Sequence, residues 1–303
     1  MFLYKLFLVY AKYTPSVYDP KADYIKKELI KNIGFIEHHN QHIYGPSFGE
    51  MSMMTINLYN PNFLEEKNQR IKVTNLIDQH HPTILALQGI SKNQEQLFSA
   101  VFSPHYKVIG SNYINIDLKS RKREYRPIYY DSNEVELIKE GEFSPINFAN
   151  HSYATFGIFR MKVDLKTMFI VVNIDLYSGD SEFIETQLYN ILKHISESPY
   201  SKLPIFFLGM INEQTQNVKD LIKNSLHNVI LKDKNNIPLS KTTFHHNGIL
   251  DDGKQRDFIL LRDINNTYIV NYARILSKFE KKDILHYPIY AIFQRKLTQQ
   301  NKH

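Results

Sequence analysis

Between residues 126 and 176 four strand-like runs follow one another without a helical stretch between them: RPIYYD (126–131), EVELIKEGEF (134–143), ATFGIFRMKV (154–163) and MFIVVNIDL (168–176). Strands joined by short connections pair as antiparallel neighbours, because a parallel partner needs a crossover of a dozen residues or more. On either side of this block the order changes. Before it come strand MMTINLY (53–59), helix NQRIKVTNLIDQH (68–80), strand PTILALQ (82–88), helix EQLFSAVF (95–102) and strand YKVIG (106–110). After it come helix EFIETQLYNILKHISES (182–198), strand LPIFFLGM (203–210), helix VKDLIKNSL (218–226) and the strands RDFILL (256–261) and YPIYAIFQ (287–294). Hairpins in the middle with βα units at both ends argue against a purely parallel sheet. The pattern predicts an α/β fold of two mixed sheets packed face to face with helices outside.

A chain of 303 residues is long enough for one large core of this kind, and 43% hydrophobic against 22% charged residues makes it globular. The absence of cysteine excludes disulfides, thiolate metal sites and cysteine nucleophiles. A net charge of +6 permits a phosphate-bearing partner without demanding one. Residues 1–50 read as an extension for docking or targeting, 51–295 as the folded domain and 296–303 as a polar tail. Within the extension, residues 19–35 have helical spacing of Tyr24, Ile25, Leu29, Ile30 and Ile33. The opening MFLYKLFLVYAKY is interrupted by Lys5 and Lys12, so its apolar runs fall far short of a membrane span and no transmembrane segment is expected. It lacks acids before Asp19, as organelle presequences do, but also lacks the arginines they carry. An intracellular location is expected, and a mitochondrial one stays open.

The ends of the strands carry the chemistry. TIN ends in Asn57; ALQGI gives Gln88 and Gly89; VVNIDL gives Asn173 and Asp175; LGMIN gives Met210 and Asn212; QRDFILL carries Asp257; and ILHYPIYAIF carries Leu285 and His286. From about Met51 to Phe293 this order resembles the endonuclease/exonuclease/phosphatase superfamily of metal-dependent phosphodiesterases and phosphatases. The resemblance implies a four-layer α/β sandwich. It also implies a metal-organising Asn at 57, a metal-binding Glu at 89, a phosphate-contacting His at 175, and a general-base Asp at 210 with an Asn at 212. At the end of the chain it implies a further Asp at 257 and an Asp-His pair at 285 and 286. Asn57, Asn212, Asp257 and His286 match that pattern. Gly89, Asp175, Met210 and Leu285 depart from it.

The departures have direct consequences. A hard cation is held mainly by carboxylate oxygens, and Gly89 supplies none. Met210 cannot accept a proton from water. Leu285 cannot orient His286, and a carboxylate at 175 would face an anionic phosphate. Removing one such group costs about 10²–10⁴ in rate, so several together approach the whole catalytic advantage. The expectation is a catalytically inactive protein of this fold, needing no cofactor, that serves as a binding or structural subunit with protein partners engaged through residues 1–50.

Two other functions stay open. An atypical Mg²⁺- or Mn²⁺-dependent phosphodiesterase or phosphatase would build its metal site from Asp175 and Asp257, with Asn57 or Asn212. Glu95 or Glu213 would then be the nearby acids able to replace a missing one. A nucleic-acid binder without catalysis would use KSRKREYR (119–126), in which Lys119, Arg121, Lys122, Arg123 and Arg126 could contact phosphates. The paired histidines His80-His81 and His245-His246 lack zinc-ligand spacing.

Overall fold

The computed structural model of the chain describes residues 50–59, 66–102, 105–110, 115–116, 123–143, 154–176, 181–211, 216–229, 243–244, 255–276 and 285–296. The extension before Glu50, the helix read at 19–35, residues 119–122 of the basic run and the tail beyond Lys296 therefore lie outside the described residues. In chain order the elements are β1 (Glu50–Asn57), α1 (Glu66–His80), β2 (Ile84–Gln88), α2 (Lys92–Phe102), β3 (Tyr106–Ile109), β4 (Asn115–Ile116), β5 (Arg123–Glu124), β6 (Ile128–Asp131), β7 (Val135–Phe143), β8 (Ala154–Met161) and β9 (Met168–Leu176). They continue with α3 (Ser181–Ser196), β10 (Ile205–Ile211), α4 (Gln216–Ser225), β11 (His227–Asn228), β12 (Asp257–Arg262), β13 (Tyr268–Ile275) and β14 (Ile289–Arg295).

Two six-stranded mixed sheets form, in the orders β13-β14-β1-β2-β6-β3 and β11-β12-β10-β9-β8-β7, while β4 and β5 make a separate ribbon. The parallel pairs are β1 with β2 and β9 with β10. Each is joined through a helix, α1 or α3, as a parallel connection requires. Strands β7, β8 and β9 form the antiparallel meander expected from the middle of the chain. One neighbour differs from a simple hairpin reading. Strand β6 pairs with β2 and β3 in the first sheet, whereas β7 belongs to the second. The turn at 132–134 carries the chain between the sheets, so that Tyr130 and Val135 both enter the core between them.

Three apolar layers hold the sandwich together. The inner one lies between the sheets and includes Met51, Met53, Ile84, Ala86, Phe169, Val171, Phe206, Leu208, Ile259 and Phe293. A second joins the outer face of the second sheet to α3 and α4, and a third joins the outer face of the first sheet to α1 and α2. Helix α3 shows why it docks: Ile184, Leu188, Ile191 and Ile195 are buried at the spacing of one helical face. Strands β2, β9 and β10 are buried on both faces, so apolar residues occupy consecutive positions, interrupted in β2 and β9 only by Gln88, Asn173 and Asp175 towards their ends. Among the described residues no helix is long and apolar enough to cross a membrane.

Candidate functional site

Side chains alternate along a strand, so the inner-facing series can be continued to the strand ends. In β1, Met51 and Met53 lead to Thr55 and Asn57, and in β2, Ile84 and Ala86 lead to Gln88. In β9, Phe169 and Val171 lead to Asn173 and Asp175, and in β10, Phe206 and Leu208 lead to Met210. In β12, Ile259 and Leu261 follow from Asp257. The apolar inner core thus ends, at one rim of the sandwich, in a set of polar residues. Asp175, Met210 and Asp257 stand directly opposite one another across β9, β10 and β12. The structure therefore brings Asn57, Asp175, Met210, Asp257 and His286 together, and all are less than a tenth exposed. Leu285, the departure beside His286, is also buried.

His286 lies just ahead of β14 and bonds through Nδ1 to Asp257 Oδ2 at 2.8 Å. A loop pins this pair. The Thr243 hydroxyl oxygen accepts bonds from the backbone N–H groups of Arg256 and Asp257, each at 2.9 Å. Tyr287 N–H donates to the Thr243 carbonyl at 2.7 Å. The Phe244 ring lies 4.8 Å from the His286 ring, and the Arg256 guanidinium stands 4.5 Å over the Phe244 ring. His286 thus has an orienting carboxylate after all: Asp257 does what Leu285 cannot.

Arg126 faces Asp175 at 3.6 Å, and both side chains are buried. Burial pushes the Asp175 carboxyl above its usual range. Arg126 and His286 pull it back, and the Asp257 charge raises it further. Arg126, read from sequence as one of five basic residues able to contact phosphates, is therefore part of the rim. The carboxylate at 175 is matched by a guanidinium rather than left to repel a phosphate.

Asn57 donates through Nδ2 to Met210 Sδ at 3.4 Å and accepts the Tyr59 N–H at 2.9 Å. Gln88 donates through Nε2 to Asn173 Oδ1 at 2.7 Å. Asn173 donates in turn to the carbonyls of Leu87 and Pro127, both at 2.9 Å. Gln88 was named from the sequence as a strand end without a role of its own, and Thr243 and the rim position of Arg126 were not singled out. Of the other sequence candidates, Glu95 sits on α2 bonded to Lys92 and Ser99, on the outer side of the first sheet. Arg123 is in β5. Asn212, Glu213, Lys119, Arg121 and Lys122 lie outside the described residues.

Gly89 has φ +65°, and a Cβ there would stand 2.7–2.8 Å from the N, Cα and Cβ of Tyr59. The position thus excludes any side chain through its backbone, not merely a carboxylate. This bears on the divalent cation that the fold family implies. At position 89 there is no ligand, and at 210 there is a soft thioether where a hard cation wants oxygen. The two remaining acids are each engaged, Asp175 by Arg126 and Asp257 by His286. The donor set present does not fit a divalent ion of this family. Among the described residues no group of three or more His, Cys, Asp or Glu side chains is arranged to hold one.

The two-sheet sandwich with this rim is the endonuclease/exonuclease/phosphatase fold. An endonuclease/exonuclease/phosphatase from Bacteroides vulgatus superposes with a TM-score of 0.67 at 19% identity, over 82% of this chain and 99% of that one. The mannosyl-6-phosphatase of Bacteroides thetaiotaomicron gives 0.65 at 16%, over 80% and 99%. The human nocturnin catalytic domain with bound sulfate gives 0.63 at 16%, over 82% and 95%. By sequence, an uncharacterised protein of Encephalitozoon cuniculi is 29% identical over 265 residues, 86% of this chain and 83% of that protein. No protein-family model matches the chain.

Proposed function

We propose that this chain is a catalytically silent protein of the endonuclease/exonuclease/phosphatase fold that acts as a binding or structural subunit of a larger assembly. The observation carrying this reading is the pair of positions 89 and 210. One has no room for a side chain and the other holds a thioether, while the acids that remain are engaged within the rim. A water molecule at this rim would meet neither a carboxylate-bound metal nor a base at position 210.

One specific observation favours a second reading. Asp175 Oδ1 and Asp257 Oδ1 are both buried without a hydrogen-bond partner among the described residues, and two such oxygens are an unusual cost unless something meets them. An atypical Mg²⁺- or Mn²⁺-dependent hydrolase would use them as ligands. Calorimetric titration of the purified chain with Mg²⁺ and then Mn²⁺ separates the two, alongside hydrolysis of bis(p-nitrophenyl) phosphate and p-nitrophenyl phosphate. The silent reading expects no saturable heat at millimolar metal and no turnover above buffer. One saturable site that disappears in Asp257→Asn, together with metal-dependent turnover, would replace it with the hydrolase.

A further inference from the structure

At the end of the sandwich away from the rim, two turns come together. Strand β8 stops at Met161 and β9 starts at Met168; β12 stops at Arg262 and β13 starts at Tyr268. The end of β14 links the two turns. Arg295 pairs with Asp164 in the first, and Lys296 N–H donates to the Thr267 carbonyl of the second at 2.8 Å. Asn265 donates through Nδ2 to the Lys202 carbonyl at 3.3 Å, which adds the connection ahead of β10. Each turn is fixed by its own bonds. Thr167 donates its N–H to the Asp164 carbonyl at 2.8 Å and its hydroxyl to the Asp164 carboxylate at 2.6 Å. Asn266, at φ 51°, donates its N–H to the Asp263 carbonyl at 3.1 Å, and Tyr268 N–H donates to Asp263 Oδ2 at 2.7 Å.

These rigid turns hold apolar side chains out. Val163, Leu165 and Ile264 are 53%, 63% and 62% exposed, the most exposed large aliphatic side chains among the described residues. Lys162, Lys166 and Lys202 beside them are exposed, and Lys296 is half-buried. None of these four lysines has an ion pair among the described residues. The acids of the same turns are engaged, Asp164 by Arg295 and Asp263 by the Tyr268 N–H. The result is a set of apolar tips among unmatched positive charges. The N-terminal extension joins the sandwich at this same end, because Glu50 at the start of β1 stands opposite Gln294. Its opening MFLYKLFLVYAKY combines Phe, Leu and Tyr with Lys5 and Lys12, and no acid precedes Asp19.

We infer that this end of the sandwich docks on an anionic lipid surface, with Val163, Leu165 and Ile264 entering the headgroup layer and Lys162, Lys166, Lys202 and Lys296 meeting the lipid anions. Apolar side chains that project from turn tips suit a soft medium that closes around them, whereas a protein partner would need a pocket shaped for each. A lysine lays its stem along apolar surface while its charge stays in the polar layer, and each one near an anionic leaflet adds a modest attraction. One weak signal of this kind gives only reversible binding; two joined signals hold. The apolar, basic opening of the extension supplies the second from the same end. The face lies away from the rim, so the inference goes beyond the function proposed above and holds for a silent or an active rim alike.

The test is co-sedimentation of the full chain with vesicles of phosphatidylcholine alone and of phosphatidylcholine containing about a quarter phosphatidylserine. The wild type should bind the second and not the first, and rising salt should release it. Leu165→Ser/Ile264→Ser should lower the partition coefficient about tenfold or more, through the buried CH₂ groups it removes. Lys162→Gln/Lys166→Gln should lower it by a similar factor. Both chains should melt like the wild type, because the altered side chains are exposed. Lys139→Gln/Lys219→Gln makes the same change of charge on β7 and α4 and should leave binding as it was. A wild type that binds neither vesicle, or a Leu165→Ser/Ile264→Ser chain that binds like the wild type, would overturn the inference. So would a control pair that loses as much binding as the turn pair, since overall basicity would then be the cause. If vesicles are not bound but the full chain sits in a membrane-free assembly that Leu165→Ser/Ile264→Ser breaks, the face belongs to an acidic protein instead.

Discussion

Asp175 is a carboxylate in competition between burial and partners. Desolvation raises its pKa, Arg126 and His286 lower it, and Asp257 raises it again, with burial the largest effect. A carboxyl whose folded pKa lies above its unfolded value of about 3.9 binds protons more readily in the native state. Its contribution to stability is therefore fully present below the unfolded pKa and is lost as pH rises through the folded one. This is opposite to the usual salt-bridged acid. The melting temperature of wild type minus that of Asp175→Asn should accordingly grow as pH falls from 7 towards 4. A gap that narrows over that range would show that Arg126 outweighs burial. At this scale the sequence was legible where the question was which residues end the inner faces. Asn57 and Asp257, named from the sequence, stand at the ends of β1 and β12, and His286 is bonded to Asp257. It was not legible where the question was which side chain meets which. The pairing of Asp257 with His286, and of Arg126 with Asp175, joins residues 29 and 49 apart in the chain. No local period encodes such partners.

Strands and helices were read well where their apolar pattern was unbroken. Strands β2, β9, β10 and β14 and helices α1, α2 and α3 all form over the stretches expected, within a few residues at their ends. Strand β13 was missed, and its geometry gives the reason. Tyr268 and Val270 face the inner core, as do Ala273 and Ile275, but the register slips between Val270 and Tyr272. The bulge shifts the alternation midway, so neither half is long enough to show a strand. The pairing of the sheets depends on large side chains at the centre of the inner core, where Phe206 meets Phe169, Tyr268 and Phe293 at ring-centroid distances of 4.9–5.8 Å. Phe206→Ala should cost about 3–5 kcal/mol, because it removes a fully buried ring and leaves a cavity that three aromatic neighbours cannot close. Urea unfolding would show it as a lower midpoint at unchanged slope. A loss below about 1 kcal/mol would mean that the two sheets slide together to refill the space.

At the scale of the whole chain, the described elements run from Glu50 to Lys296. Strand β1 begins at Glu50 and is paired along its length, with β14 on one side from that first residue and with β2 on the other from Met53. Its inner-facing Met51 and Met53 are fully packed. Residues 1–49 lie outside the described residues, yet their opening MFLYKLFLVYAKY carries more apolar side chains than an isolated polar leader would. Apolar stretches of that kind are covered by a surface when a protein is in its working state. If the working state is an assembly, removing them should separate folding from association. A chain starting at Glu50 should melt within a few degrees of the full chain and keep the exchange protection of both sheets. In gentle extracts it should elute at the mass of a single chain, where the full chain elutes in something larger. Identical elution of the two would show that the extension is not the docking element, and would move the search for a partner surface onto the sandwich itself. A collapse of melting temperature would show that residues before Glu50 complete the fold, so that their apolar side chains are spent on this chain and not on a partner.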